Sequence, residues 1–323
     1  MIKDELNNNL LFVSHIDLDG ISPHILNKFF NIKYGKEIFT NYGLGDEYAF
    51  LADYKKVIYV DFTPDEIARK IISDCNIECI VIDHHESQKE VISEWSKSTK
   101  GIEYIYDISK SGTLIYYEWL LSLGYEGNSV TDYFVNLVST YDLFLKKDSK
   151  WEEADNLNRL LYSSGKYYET DKTKCFSFFI STILWKCQNA ERFFFNQLET
   201  SKIMVDKKKE DDIFFNLINN AKSELSTRQD EKGDYFCVFR CRTKISAICS
   251  KLLEKYKKLS YVICINNYDE DNPKISIRSR EDFDCLSLEG VKGHKNASAY
   301  ENPTREIAEQ LWNKDIYSFK RLY

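Results

Sequence analysis

Three segments of the chain collect the residue types that bind metal ions: Ser14-His15-Ile16-Asp17-Leu18-Asp19-Gly20, then Asp61, then Asp83-His84-His85. Three of the five histidines fall within them. Each segment directly follows a short apolar run, Leu10–Val13, Val57–Val60 and Cys79–Ile82. Carboxylates brought together without a counter-charge repel one another and resist ionisation. One or two divalent cations would neutralise them, and mixed imidazole and carboxylate ligands suit Mn²⁺, with Mg²⁺, Co²⁺ and Zn²⁺ chemically acceptable.

The apolar runs are rich in β-branched residues, as strands buried on both faces require. Between the second and third, Thr63 as N-cap, Pro64 at the first helical position and Glu66 completing a capping box announce a helix. Strand, helix, strand in this order implies a parallel sheet with right-handed crossovers. Ligands of such a sheet bind outside the carboxyl ends of its strands, so the three segments should converge on one crevice. Helices are expected over Thr113–Leu123 and Asp132–Tyr141, the latter with Phe134, Leu137, Val138 and Tyr141 on one face. His24 follows Pro23 at an apparent helix start and reads as structural.

From about 146 to 174 the chain is polar and carries Ser-Ser-Gly at 163–165, marking the end of a first domain. Aromatic runs and the charge cluster Lys207–Asp212 then suggest a helical bridge with one solvated face. A second strand-helix-strand pattern follows over Tyr235–Arg240, Ser246–Tyr256 and Tyr261–Ile265. The expected class is α/β: an N-terminal parallel sheet with helices on both faces over 1–150, a bridge over 151–230, and a smaller C-terminal α/β domain over 231–323. There is no internal repeat.

The three segments, together with Asp142 after a helix, resemble in order and type the four motifs of the DHH phosphoesterase superfamily. The resemblance implies two divalent metal ions, one held by His15, Asp17 and Asp61, the other by Asp19, Asp61, His84 and Asp142, with Asp61 shared. It implies that His85 contacts the scissile phosphate and that Asp83 orients a neighbouring ligand; a plain structural cap is the other reading of Asp83. The spacing His15-x-Asp17-x-Asp19 is tighter than in some branches of the superfamily. Two cations roughly 3.5–4 Å apart can activate a shared water and stabilise charge on the phosphoryl oxygens.

Arg278 and Ser279, followed by Gly293-His294-Lys295-Asn296-Ala297-Ser298-Ala299, are similar to the DHH-associated substrate domain, with its Arg-Ser strand and glycine-rich loop. Arginine offers a planar fork to phosphate, and glycines let backbone N–H groups approach an anion. Arg278 and His294 are thereby implied substrate contacts. Val291 and Lys292 stand where glycines are usual, and Lys292 sets a mobile cation beside His294. Ser111, at a helix N-terminus with Gly112 and Thr113, reads either as an anion contact or as a simple cap.

The implied activity is hydrolysis of phosphodiester bonds in short oligoribonucleotides or linear dinucleotides to mononucleotides. Cyclic dinucleotides and 3′,5′-bisphosphorylated nucleosides are alternative substrates, and a non-catalytic nucleotide-binding regulator is the alternative of another class. With 323 residues the chain is long enough for about two domains. The net charge of −7 argues against wrapping long duplex nucleic acid. Nine scattered cysteines, none in a CxxC pair, fit reduced thiols in the cytoplasm. No signal peptide or membrane span is expected. A homodimer is compatible with all of this.

Overall fold

The computed structural model describes residues 9–40, 44, 48–164, 172–219, 225–230, 232–266, 273–300 and 303–313. They form two compact units, Met1–Met204 and Val205–Tyr323.

The first unit is built on five parallel strands, β1 Leu10–His15, β2 Lys36–Thr40, β3 Lys56–Val60, β4 Glu78–Asp83 and β5 Ile102–Tyr106, in the order β2-β1-β3-β4-β5. Its helices are α1 Leu18–Phe29, α2 Tyr48–Leu51, α3 Glu66–Asp74, α4 Lys89–Ser98, α5 Gly112–Ser122, α6 Ser129–Asp142, α7 Trp151–Ser164 and α8 Lys172–Asn189; α9 Gln197–Asn219 includes the division at 204/205. Successive strand residues face opposite ways, so one apolar run serves two cores. Phe12, Ile58, Val60 and Ile80 pack with α1, α5 and α6, whereas Leu11, Val57, Tyr59 and Val81 pack with Ala68 and Ile72 of α3 and Ile92 of α4. Helices thus cover both faces, as the continuous apolar runs require. Strand order reverses at β1 and β3, the position where ligands of open α/β sheets bind.

Two helix starts differ from expectation. At α3 the cap is Asp65, whose carboxylate accepts the Ala68 N–H at 2.9 Å. Thr63 and Pro64 lie before the helix, because a carboxylate accepts more strongly than a hydroxyl and Asp65 also takes the Tyr48 hydroxyl. At α1 the cap is Asp17, and Pro23 lies inside the helix. Proline has no N–H for the carbonyl four residues back, which belongs to Asp19. That carbonyl instead accepts the Thr113 hydroxyl at 2.5 Å.

His24 is fully buried, as its structural reading requires. Its Nδ1 lies 2.5 Å from Glu37 Oε2 and its Nε2 2.7 Å from Ser14 Oγ. A carboxylate only accepts, so Nδ1 carries the proton and Nε2 accepts from Ser14. Burial holds His24 below its usual pKa, while Glu37, opposed by burial but bonded to His24 and Tyr34, drops to about 2. Both shifts contribute stability that is lost on acidification, between about pH 6.5 and the lowered His24 value, then between about 4.5 and 2 for Glu37. His24→Leu is expected to cost about 1–3 kcal/mol for each buried partner left unmatched, measured by urea unfolding at pH 7. A loss below about 0.5 kcal/mol would deny the network its structural role.

The second unit contains β6 Leu225–Gln229, β7 Tyr235–Arg240, α10 Ile245–Lys255, β8 Leu259–Asn266, β9 Lys274–Ser279, β10 Val291–His294, β11 Ala297–Tyr300 and α11 Arg305–Asn313. The six strands run in the order β10-β11-β9-β8-β7-β6; β7 and β8 are parallel across α10 and the other pairs antiparallel. One face packs on Ile248, Cys249 and Leu252 of α10, the other on Ala308 and Leu311 of α11. In the Lys207–Asp212 cluster most side chains are solvated, but Glu210 is buried, with Lys251 Nζ at 3.1 Å. The described cysteines are free thiols. Among the described residues no helix is long and apolar enough to cross a membrane.

Candidate metal centre

The carboxyl ends of β1, β3 and β4 and the last residue of α6 deliver His15, Asp17, Asp19, Asp61, His84, His85 and Asp142 to one place. Three groups have ligand atoms within 4.8 Å of one another: His15, Asp17 and Asp61; Asp61, His84 and His85; Asp19, His84 and Asp142. Asp61 and His84 each belong to two of them. His15 Nδ1 lies 2.8 Å from Asp17 Oδ2 and 3.8 Å from Asp61 Oδ2. His84 Nε2 lies 3.3 Å from Asp61 Oδ1, 3.4 Å from Asp142 Oδ2 and 3.7 Å from Asp19 Oδ2.

Backbone geometry fixes these side chains. Asp61 follows β3 in the left-handed region, at φ 54°, with its N–H bonded to Ile82 O at 2.9 Å. Few side chains accept that conformation, and aspartate is one that does. Against it lies Gly112, where a Cβ would come within 2.8 Å of the Asp61 Cβ. The start of α5 therefore has to be glycine for Asp61 to stay in place. The amides of Gly112 and Thr113 donate to Asp19 at 2.7 and 2.9 Å, so the anion at this helix N-terminus is a carboxylate of the chain itself. Ser111 is buried and accepts the Leu114 N–H at 3.3 Å.

The electrostatics call for a cation. Burial, then Asp19, Asp17 and other neighbouring carboxylates, holds Asp61 well above the usual carboxylate range. Asp142 is raised in the same way, by burial and then Asp19 and Asp17. Asp61 Oδ2, Asp83 Oδ2 and Asp142 Oδ2 are buried without a hydrogen-bond partner. Buried polar atoms are almost always matched, so the Asp61 and Asp142 oxygens fit ligands of an ion. At Asp17 burial opposes ionisation, but His15 and the Gly20 amide outweigh it and the group is lowered. His15 is raised, Asp17 overcoming the effect of burial. His84 is lowered by burial, which leaves a neutral imidazole suited to ligation. The donor set therefore fits one or more divalent cations.

His85 differs from its neighbours. Its Nδ1 donates to Asp83 Oδ1 at 2.7 Å, and although burial opposes it, the Asp83 charge and hydrogen bond raise the imidazole to about 9. The Asp83 contact thus favours the imidazolium, while Asp83 is correspondingly lowered against the effect of burial.

In the second unit, β9, β11 and β10 set Arg278, Ala297 and His294 side by side in register. The Arg278 guanidinium donates to Ile277 O at 2.8 Å, Ser298 O at 3.3 Å and Ser246 Oγ at 2.9 Å. Lys292 is exposed on β10; the His294 side chain lies outside the described residues. Gly293 is indispensable at φ 130°, where a Cβ would meet Ala297 O at 2.8 Å.

No protein-family model and no curated protein matches the sequence. Among solved structures, the DHH domain of a member of the s1p family of ribosomal proteins aligns at TM-score 0.65 and 14% identity over 98% of this chain and 88% of its own. RecJ from Thermus thermophilus, in complex with Mn²⁺, aligns at TM-score 0.54 and 13% identity over 94% of this chain and 51% of its own. The chain thus spans about half the length of that RecJ. An uncharacterized protein from Helicobacter pylori aligns at 18% identity and TM-score 0.46 over 94% of this chain and 98% of its own. The fold is that of DHH-domain proteins, as the motifs imply.

Proposed function

We propose that the chain is a divalent-metal-dependent phosphodiesterase that hydrolyses short oligoribonucleotides or linear dinucleotides to mononucleotides. The observation that carries this is Asp61, a buried carboxylate shared by two ligand groups at the ends of β1, β3 and β4. RecJ, which shares the fold, binds Mn²⁺. Two cations, probed first as Mn²⁺, would be held by His15, Asp17 and Asp61, and by Asp19, Asp61, His84 and Asp142. When bound they supply Lewis-acid activation of water and neutralisation of phosphoryl charge.

The chain's own groups supply the rest. The Gly112 and Thr113 amides fix the Asp19 carboxylate, and Asp83 holds His85 by its Nδ1–H. Charged in this way, His85 offers a cation to a non-bridging phosphate oxygen, where charge develops in the transition state. Arg278, with Lys292 and His294, is assigned to nucleotide binding, since guanidinium N–H groups accommodate phosphate.

The test is turnover with Mn²⁺ of short RNA, linear and cyclic dinucleotides, a 3′,5′-bisphosphorylated nucleoside and pyrophosphate. Linear dinucleotide and short RNA should be cleaved fastest, and absence of phosphodiester cleavage throughout would refute the proposal. Arg278→Ala should weaken nucleotide hydrolysis by about 10-fold or more through KM, a charged hydrogen bond being worth about 1.5–3 kcal/mol, while sparing a small chromogenic phosphodiester. Equal losses on both substrates would remove Arg278 from nucleotide binding.

A further inference from the structure

We propose that the Phe144 ring, braced edge-to-face by Trp151, forms a shelf on which a base of the substrate stacks, an inference that rests on the nucleotide-hydrolase reading above. Helix α6 ends at the ligand Asp142 and turns at Phe144, which sits at φ 56°. The turn is closed by Phe144 N–H to Tyr141 O at 3.0 Å and Leu145 N–H to Thr140 O at 3.0 Å. Glycine is the usual residue in such a helix exit, and a bulky ring at positive φ is uncommon. Nothing in closing the turn needs the ring. Backbone strain of this kind concentrates at functional sites, and Phe144 stands two residues from Asp142, at most about 7.6 Å between Cα atoms.

The ring belongs to an ordered aromatic group. Phe144 meets Trp151 edge-to-face at 5.3 Å, and Trp151 stacks on Tyr141 at 5.7 Å with an interplanar angle of 10°. Tyr141 backs onto the core of the first unit, and its hydroxyl accepts from Asn158 Nδ2 at 2.7 Å. Phe144 and Trp151 are themselves half-buried. Lys146 Nζ lies 4.5 Å from the Phe144 ring centre and 6.0 Å from that of Trp151.

Aromatic rings beside a basic side chain recognise nucleic-acid components without hydrogen-bond readout, because every base has a π-face. A stacked base is worth more than an exposed cation–π contact, so a base displaces Lys146 from the ring. The displaced ammonium remains near as a mobile charge for a phosphate. The subsite would therefore select nucleotides over sugar phosphates while tolerating different bases.

Calorimetric binding of 5′-AMP and of ribose 5-phosphate to the Mn²⁺-loaded protein tests this. AMP should bind about 10-fold tighter or more. Phe144→Asn, a residue that tolerates the left-handed turn, should abolish that preference without lowering the melting temperature. Phe144→Tyr keeps a ring and should retain the preference. An unchanged preference in Phe144→Asn, or no preference in the parent protein, would overturn the shelf. Failure of the two ideas is separable: dinucleotide turnover without base preference sinks the shelf alone, and Phe144-dependent AMP binding without any turnover sinks the hydrolase reading alone.

Discussion

Asp61→Asn is expected to remove both bound metal and turnover, and to do so more completely than replacement of any other single ligand. One oxygen of this carboxylate faces His84 at 3.3 Å and the other faces His15 at 3.8 Å, so a single side chain serves two ligand groups. His84 also belongs to two groups, but in the proposed assignment it serves one cation, as do His15, Asp17, Asp19 and Asp142, so that only loss of Asp61 strips a ligand from both. Asparagine is the appropriate probe, since it also accepts the positive φ of this position. Activity should fall on the order of 10³-fold or more, about 4 kcal/mol of transition-state stabilisation. The metal-free variant should melt no lower than the parent, because burial makes the Asp61 charge unfavourable without a cation. An active Asp61→Asn protein that keeps its full metal content would refute the shared ligand.

Stabilisation by Mn²⁺ is expected to grow steeply with pH. In the metal-free protein Asp61 and Asp142 are raised well above the carboxylate range, by burial first and by neighbouring carboxylates second. A carboxyl raised on folding favours the folded state below its unfolded pKa of about 3.8, and that contribution is lost as pH rises through the folded value. Metal-free protein at neutral pH therefore lacks stability that the two acids supply when protonated. A cation reverses the balance, since it binds the carboxylates and releases their protons. Saturation at about 100 times Kd adds about 2.7 kcal/mol. The Mn²⁺-induced rise in melting temperature should therefore increase as pH climbs from the ordinary carboxylate range through the raised Asp61 and Asp142 values, with proton release seen by calorimetry in buffers of different ionisation enthalpy. A rise independent of pH, with no proton release, would show that the ion binds elsewhere.

The central strands are legible in the sequence because β1, β3 and β4 are buried on both faces and spell unbroken apolar runs. The edge strands β2 and β5 carry no such signal. Lys36-Glu37-Ile38-Phe39-Thr40 begins with charges, and Ile102-Glu103-Tyr104-Ile105-Tyr106 mixes in an exposed Glu103, as an edge strand can. Pro23 suggests a helix start, since nothing local reveals that Thr113, ninety-odd positions away, bonds the carbonyl it frees. The convergence of His15, Asp17, Asp19, Asp61, His84, His85 and Asp142 follows from topology, as strand ends must meet at the switch point. That Asp19 itself occupies the α5 N-terminus has no sequence signature, since Ser111-Gly112-Thr113 reads either as a place for an external anion or as a simple cap. Likewise the aromatic contacts of Phe144 depend on a turn whose positive φ has no signal in Asp142-Leu143-Phe144.

Anomalous diffraction at the manganese edge, from crystals grown with MnCl₂, addresses the metal centre most directly. Two peaks are expected within the His15, Asp17, Asp19, Asp61, His84 and Asp142 cluster, with Asp61 between them. Both should vanish in Asp61→Asn crystals. No peak in this cluster at saturating Mn²⁺, or peaks that persist without the Asp61 carboxylate, would contradict the assignment.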